Sequence, residues 1–312
     1  MEKAKKNPKS FGMKLASDEI WQFISTSETS EWLDKLCATM ELDEFTGSDG
    51  NKILFLKNLS DESNIIKSLN LNRIHLLNKG PLSVYKCQST LHMICEIQNK
   101  DYPEANILFK WVQSVFPLYY KVLSQGGLPL HAALIEREGI GIAISAPGGT
   151  GKSTCARRIP LPWKAMCDDE VLIVHDKKDV CHAHPFPTWS RCNTLEVGET
   201  WNVQGHVPIS AIFFLKQSQK DEVSLLSFSQ AAVLIYKLSL SVFLRILGSV
   251  DKDEDTIIKK LIFKNACDIA EKIPAFILEA SLNGKFWEAI DTALSTDAKE
   301  VCVDARIESS IY

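Results

Sequence analysis

The stretch Gly141-Ile142-Ala143-Ile144-Ser145-Ala146-Pro147-Gly148-Gly149-Thr150-Gly151-Lys152-Ser153-Thr154-Cys155-Ala156 decides how the chain is read. Its first five residues predict a buried strand, and the run from Lys152 towards Pro160 predicts a helix. Between them, residues 146–153 follow the pattern GxxxxGK[ST] at every defined position but the first, where Ala146 stands. That position only begins the turn, so alanine is a mild departure. Gly148, Gly149 and Gly151 can adopt backbone angles that crowd other residues, so consecutive N–H groups can turn inward on one anion. The helix start adds its dipole and its free N–H donors. Lys152 supplies a point charge for the outer phosphates, and the Ser153 hydroxyl is placed to ligand Mg²⁺. Thr150 and Thr154 complete the expected contact set. The expected ligand is a nucleoside triphosphate, ATP, with Mg²⁺.

Working outward, such a site needs a second strand ending in an acid. Ala165-Met166-Cys167-Asp168-Asp169-Glu170 supplies one, with Asp168 sixteen residues after Lys152. Two adjacent acids exceed what a metal ligand requires. One can serve the metal while the other takes a proton from an incoming hydroxyl. Upstream, Leu130–Ile135 reads as a strand with His131 at its start. Spacing alone leaves open which end of the sheet that histidine occupies.

The rest of the chain bounds the answer. Its 312 residues allow two domains, and 24% charged and 45% hydrophobic residues are ordinary globular values. A net charge of −4 gives no reason to expect nucleic acid. No apolar run is long enough for a membrane span, and the lysine-rich start reads as a solvated terminus rather than a signal segment, so a cytoplasmic protein is expected. Nine cysteines without a CxxC pair suggest reduced, mostly buried thiols. His175, Cys181, His182 and His184 lie close together but lack a second spaced ligand pair, so a strand-loop segment is favoured over a metal site.

Residues 1–105 predict a smaller α+β domain of unassigned role, with strands near Phe11–Leu15, Ile53–Leu56, Ser83–Cys87 and Leu91–Ile97. Helical periodicity lies at Glu31–Leu42 and Ser60–Leu69. Residues 106–127 predict a connecting helix, kinked or divided at Pro117 and stopped by Gly126-Gly127. The third unit, 128–312, carries the loop. Further strands are expected at Val171–Val174, Ala211–Lys216, Val223–Leu226 and Phe276–Ser281. Helices are expected over Ser229–Leu247, Asp255–Ile273 and Trp287–Leu294.

Leu130-His131-Ala132-Ala133-Leu134-Ile135-Glu136, the loop, and Cys167-Asp168-Asp169-Glu170 resemble the core of HPr kinase/phosphorylase-like proteins, which share a P-loop core with phosphoenolpyruvate carboxykinase. The segments His184-Pro185-Phe186-Pro187-Thr188-Trp189-Ser190, Ala211–Lys216 and Ile273–Trp287 resemble the kinase-like proteins of ribosomal-peptide maturation clusters, nearest to the SynChlorMet cassette ScmC family. The core resemblance covers residues 128–295. It implies an α/β PEPCK/HPr-kinase-like fold. It also implies that His131 supports a catalytic Asp168, that Lys152 and Ser153 serve the phosphates and Mg²⁺, and that Asp169 is the adjoining, metal-side acid. A further Mg²⁺ ligand is expected downstream, with Glu196 the candidate. Thr154 departs from the glutamate that usually follows the loop serine, and the segment tied to phosphorylase activity has no counterpart, Arg191 standing near it in another context.

Together these imply an ATP-dependent kinase acting on a hydroxyl, serine first, of a precursor peptide or protein. The rivals are a nucleotide-gated recruitment module without turnover and a kinase for a small molecule such as free serine. No nucleic-acid or membrane partner is expected, and a homo-oligomer is compatible with the reading.

Overall fold

A computed structural model describes residues 8–57, 73–77, 80–87, 92–97, 107–189 and 201–295. The expected helix at 60–69, Leu91 and the residues Arg191 and Glu196 lie outside these. The described chain is a mixed α/β structure with two mixed sheets.

The first sheet has the order β3-β1-β2-β4-β7-β6-β5. Its strands are β1 (Ser10–Lys14), β2 (Ile20–Ser25), β3 (Asp43–Glu44), β4 (Asn51–Leu56), β5 (Arg73–Leu77), β6 (Leu82–Cys87) and β7 (Met93–Ile97). Helix α1 (Ser30–Thr39) lies between β2 and β3 in the chain. The pairs β2–β4 and β4–β7 are parallel and the others antiparallel. Strand β2 escapes sequence reasoning because Trp21, Gln22 and Phe23 are all buried, which erases the two-residue alternation of a half-exposed strand.

Helix α2 (Ile107–Ser124) joins the sheets. Trp111, Val115, Phe116, Leu118, Tyr119 and Leu123 are buried on several faces, as expected of a helix enclosed by protein. Pro117 sits inside it without dividing it. The helix ends where Gly126 takes a φ of 96° and the Gly127 N–H returns to the Val122 carbonyl at 3.1 Å. Gly127 passes so close to the strand Glu170–His175 that a Cβ there would stand 2.3 Å from the Ile173 carbonyl oxygen.

The second sheet runs β11-β9-β10-β14-β13-β12-β8. These are β8 (Leu128–Leu130), β9 (Ala132–Arg137), β10 (Ile140–Ser145), β11 (Lys164–Cys167), β12 (Glu170–His175), β13 (Cys181–Phe186) and β14 (Val207–Gln217). Strands β15 (Glu222–Leu225) and β16 (Ala275–Ala280) extend it, β16 running parallel to β14. Helices α3 (Lys152–Arg158), α4 (Phe228–Leu247) and α5 (Lys252–Lys272) complete it with a helix over residues 286–295. The period of two along β9 and β10 sorts residues between two cores. Ala132, Leu134 and Ala143 join the larger core with α2, α4 and α5. Ala133, Ile135, Ile142 and Ile144 join the smaller one with Cys155, Phe286 and Ile290. Helix α5 starts earlier than its apolar pattern suggests because the Asp251 carboxylate caps it, accepting from the N–H groups of Asp253 and Glu254 at 3.0 and 2.9 Å. No described helix is long and apolar enough to cross a membrane.

The two sheets are tied through buried polar groups. Lys86 of β6 donates to the Tyr120 hydroxyl of α2 at 2.9 Å and lies 3.4 Å from Glu254 of α5. His184 of β13 is fully buried. Its Nδ1 donates to the Val203 carbonyl at 2.8 Å, and its Nε2 accepts the Ala16 N–H at 3.1 Å. Both ring nitrogens are satisfied only by the neutral tautomer protonated on Nδ1. Burial, partly opposed by the Val203 carbonyl and aided by His206 and His182, pushes its pKa from 6.5 down to about 4. A depressed histidine pKa stabilises the fold fully above 6.5, and that contribution disappears as pH falls from 6.5 to 4. The loss should reach about 3 kcal/mol at 1.36 kcal/mol per unit. Denaturant unfolding at stepped pH should show this slope, and His184→Gln should flatten it. Equal slopes in the two proteins would place the acid sensitivity elsewhere.

Candidate functional site

The loop after β10 begins where that strand leaves the sheet and α3 begins. Gly149 has a φ of 78° and Gly151 a φ of 116°. A Cβ at Gly148 or Gly149 would meet nothing within 4 Å, so at Gly149 the requirement is on backbone angle, not space. Gly151 stands immediately before Lys152, the first residue of α3.

Lys152 is 5% exposed, which is rare for a lysine and calls for partners. Its Nζ donates to the Ala146 carbonyl at 3.0 Å and lies 2.9 Å from His131 Nε2. Burial lowers its pKa, while Asp169 and then Asp168 act in the opposite direction.

His131 occupies the break between β8 and β9, where a single strand over Leu130–Ile135 is expected from sequence. Strand β9 is antiparallel to β10, with Ala132 opposite Ser145. This sets the histidine at the carboxyl end of the loop strand, which spacing alone could not decide. The Ser145 hydroxyl fixes the break by donating to the His131 carbonyl at 2.9 Å.

The acids follow β11. His131 Nε2 lies 3.0 Å from Asp169 Oδ1. The sequence resemblance instead implies a pairing with Asp168. Asp168 accepts from the Thr188 hydroxyl at 2.5 Å, and the Ser153 hydroxyl approaches its backbone carbonyl at 3.4 Å. Glu170, the third acid, turns into the core and accepts from the Tyr119 hydroxyl of α2. Asp168 and Asp169 form the bend between β11 and β12 and Glu170 begins β12, and each of the three neighbours finds its own partner.

Thr188 is the residue that sequence reasoning missed. It lies just beyond β13, whose Phe186 pairs with Glu170 and so brings the following residues to the acidic turn. Phe186, Thr188 and Trp189 are all buried, so this aromatic segment packs in the core and does not line an open pocket. The only signal in the sequence is a lone hydroxyl within Pro187-Thr188-Trp189, where a buried donor needs an acceptor. Cys155 and Cys167 border the site, but burial pushes their thiols up to about 11 and about 12, so neither is a nucleophile near neutral pH.

On the other side of the loop opens a cavity of about 660 Å³. Thr150, Thr154 and Arg158 bound it on the loop side; Gln217, Ser281 and Leu282 face them. Arg158 is held by the Ser281 carbonyl at 3.2 Å and by the Gly284 carbonyl, and lies over the Phe286 ring at 5.6 Å. Gln217 donates to the Thr150 carbonyl at 3.1 Å. The cavity is therefore continuous with the loop.

A family model described as SynChlorMet cassette protein ScmC matches residues 93–295, which span more than half of the chain. The chain belongs to that family. No curated protein matches it.

The Thr188–Asp168 contact is open to a direct test. Thr188→Val keeps the volume and removes the donor, leaving a buried carboxylate oxygen without it. Urea unfolding should show a loss of about 1–3 kcal/mol. Thr188→Ser should lose far less. A loss on Thr188→Ser as large as that on Thr188→Val would mean that the methyl contributes as much as the hydroxyl, and little or no loss on Thr188→Val would mean that the hydroxyl contributes nothing.

Proposed function

We propose that this protein is a Mg²⁺- and ATP-dependent kinase of the HPr-kinase-like P-loop type, phosphorylating a hydroxyl, serine first, of a precursor peptide or protein of its cassette. The observation that carries this reading is the convergence of Lys152, His131 and Asp169 at the mouth of a strand–glycine loop–helix unit. A protein that only bound a nucleotide would need the lysine, but not a carboxylate held by a histidine beside it. The antiparallel β9–β10 pair and the parallel β10–β14 pair are compatible with the proposed core. The family connects the chain to a cassette, which favours a cassette peptide as acceptor.

In this reading the phosphates lie on the N–H groups of residues 148–153, and the nucleoside extends into the cavity beside Thr154 and Arg158. Hard oxygen donors suit Mg²⁺. Ser153 and Asp168 fit, since the hydroxyl already lies 3.4 Å from the Asp168 carbonyl and Thr188 occupies one side of that carboxylate. Glu196 remains a proposed further ligand outside the described residues. The metal supplies neutralisation of phosphate charge.

Asp169 is then the base, because it is the acid in contact with His131. The acceptor oxygen forms a bond to the γ-phosphorus while the bond from that phosphorus to the β–γ bridging oxygen breaks. ADP leaves, and the acceptor proton passes to the Asp169 carboxylate. His131 orients that carboxylate by donating from Nε2. Lys152 competes for the same nitrogen, since Nε2 cannot donate to Asp169 and accept from the ammonium at once. A γ-phosphate that draws Lys152 away favours the tautomer that donates to Asp169. This exchanges the roles of the two acids relative to the expectation from resemblance.

Radiolabel from γ-labelled ATP should appear on the precursor peptide encoded in the cassette. ATP binding without transfer to any cassette peptide, or to free serine, would leave the recruitment reading standing and end the kinase one. Among variants, Asp169→Asn should lower kcat by about 10²–10⁴-fold, the usual worth of a general base, with nucleotide affinity retained. Asp168→Asn should chiefly raise the Mg²⁺ concentration needed for half-maximal rate. The reverse pattern would restore Asp168 as the base.

A further inference from the structure

The histidines at β13 form a second cluster at the other end of the sheet. Strand β12 starts beside the acidic turn and ends at His175; His182 pairs with Val174 near that far end. His206 immediately precedes β14, whose Ile209 lies beside Gly141 at the start of β10. The cluster is thus remote from the phosphate loop, which follows the end of β10.

We propose that His182 and His206 form a two-histidine site for a borderline divalent transition-metal ion of the zinc, nickel and copper class. Their Nδ1 atoms lie 3.2 Å apart. Two zinc–nitrogen bonds of about 2.0–2.1 Å at a tetrahedral angle would separate the nitrogens by about 3.3–3.4 Å. The pair is therefore already spaced for one shared ion.

A second observation sets the orientation. His182 Nε2 lies 3.3 Å from Asp176 Oδ2. Asp176 is itself fixed, because its Oδ1 accepts the N–H groups of Lys178 and Val180 at 2.8 and 2.9 Å. A carboxylate on Nε2 holds the proton there and leaves Nδ1 bare, the arrangement typical of a metal-bound imidazole. Access is open on one side, since His206 is exposed. His184, whose ring lies 5.0 Å from that of His206, is unavailable, because both its nitrogens are engaged by the backbone.

Imidazole donors select zinc, nickel and copper over magnesium and calcium. Among the described residues no group of three or more ligating side chains occurs, so water completes the coordination. Without metal, His206 Nδ1–H can donate to His182 Nδ1. On binding, both Nδ1 lone pairs go to the ion and the His206 proton resides on its Nε2, with no net proton release.

The test uses the full chain, stripped of metal with chelator and free of nucleotide. Calorimetric titration with Ni²⁺ should give one saturable equivalent in the micromolar range. Cu²⁺ at one equivalent should give an electron paramagnetic resonance spectrum with two imidazole nitrogens. His206→Ala, at an exposed position, and His182→Ala should each weaken Ni²⁺ binding at least tenfold. Asp176→Asn should weaken it about tenfold or more, as loss of an outer-shell partner does, while Lys152→Ala should leave it unchanged. Absence of saturable Ni²⁺ binding, or equal binding by His206→Ala, would overturn the proposal and leave a hydrogen-bonded histidine pair.

Discussion

One nitrogen atom organises the site. His131 Nε2 has Lys152 Nζ at 2.9 Å and Asp169 Oδ1 at 3.0 Å, an ammonium and a carboxylate meeting at a single imidazole position. The ring nitrogen can serve only one of them at a time, as donor to the carboxylate or acceptor from the ammonium. The histidine sits where both can reach it. That fixes the break between β8 and β9, the antiparallel register that sets Ala132 opposite Ser145, and the turn after β11. The Ser145 hydroxyl, bound to the His131 carbonyl, secures the same point from the loop strand.

The acidic turn extends this constraint into the rest of the molecule. Asp168, Asp169 and Glu170 are consecutive, yet they are held by Thr188, His131 and Tyr119. Those partners come from the segment after β13, the break before β9, and α2. Tyr119 stacks edge-on with Phe186 and Phe243, so the third acid is anchored in the larger core. The first two acids are thereby held by the same packing that joins α2 to the second sheet. A chain that lost this core would also lose the geometry of the site, which is a reason for a small constellation to rest on so large a fold.

The seam between the sheets carries polar contacts within its apolar packing. His184 engages Ala16 and Val203, and Lys86 meets Tyr120 and Glu254. Such contacts are directional and penalise misalignment more sharply than apolar packing does. They specify how the first sheet meets the second, and the family match, beginning at residue 93, includes β7 of the first sheet with the whole of the second described sheet.

Much of this was legible in the order of residues. The loop could be read because glycine, lysine and serine have backbone and charge properties that no tertiary contact supplies, and because strand and helix patterns flank them. The acids after a short strand were legible for the same reason, as were α2, the body of α5 and the strands with clear alternation. What the order of residues could not determine was which atoms meet. His131 meets Asp169 because β9 runs antiparallel to β10, which sets the histidine at the end of the loop strand, and because the bend after β11 gives Asp168 and Asp169 different partners. Thr188 reaches Asp168 because β13 pairs with β12, a contact between residues twenty apart in sequence. His206 meets His182 across twenty-four residues for a similar reason. Local chemistry is written in the residue types; long-range register arises only when the sheet closes and each strand's direction and offset are set by the whole core.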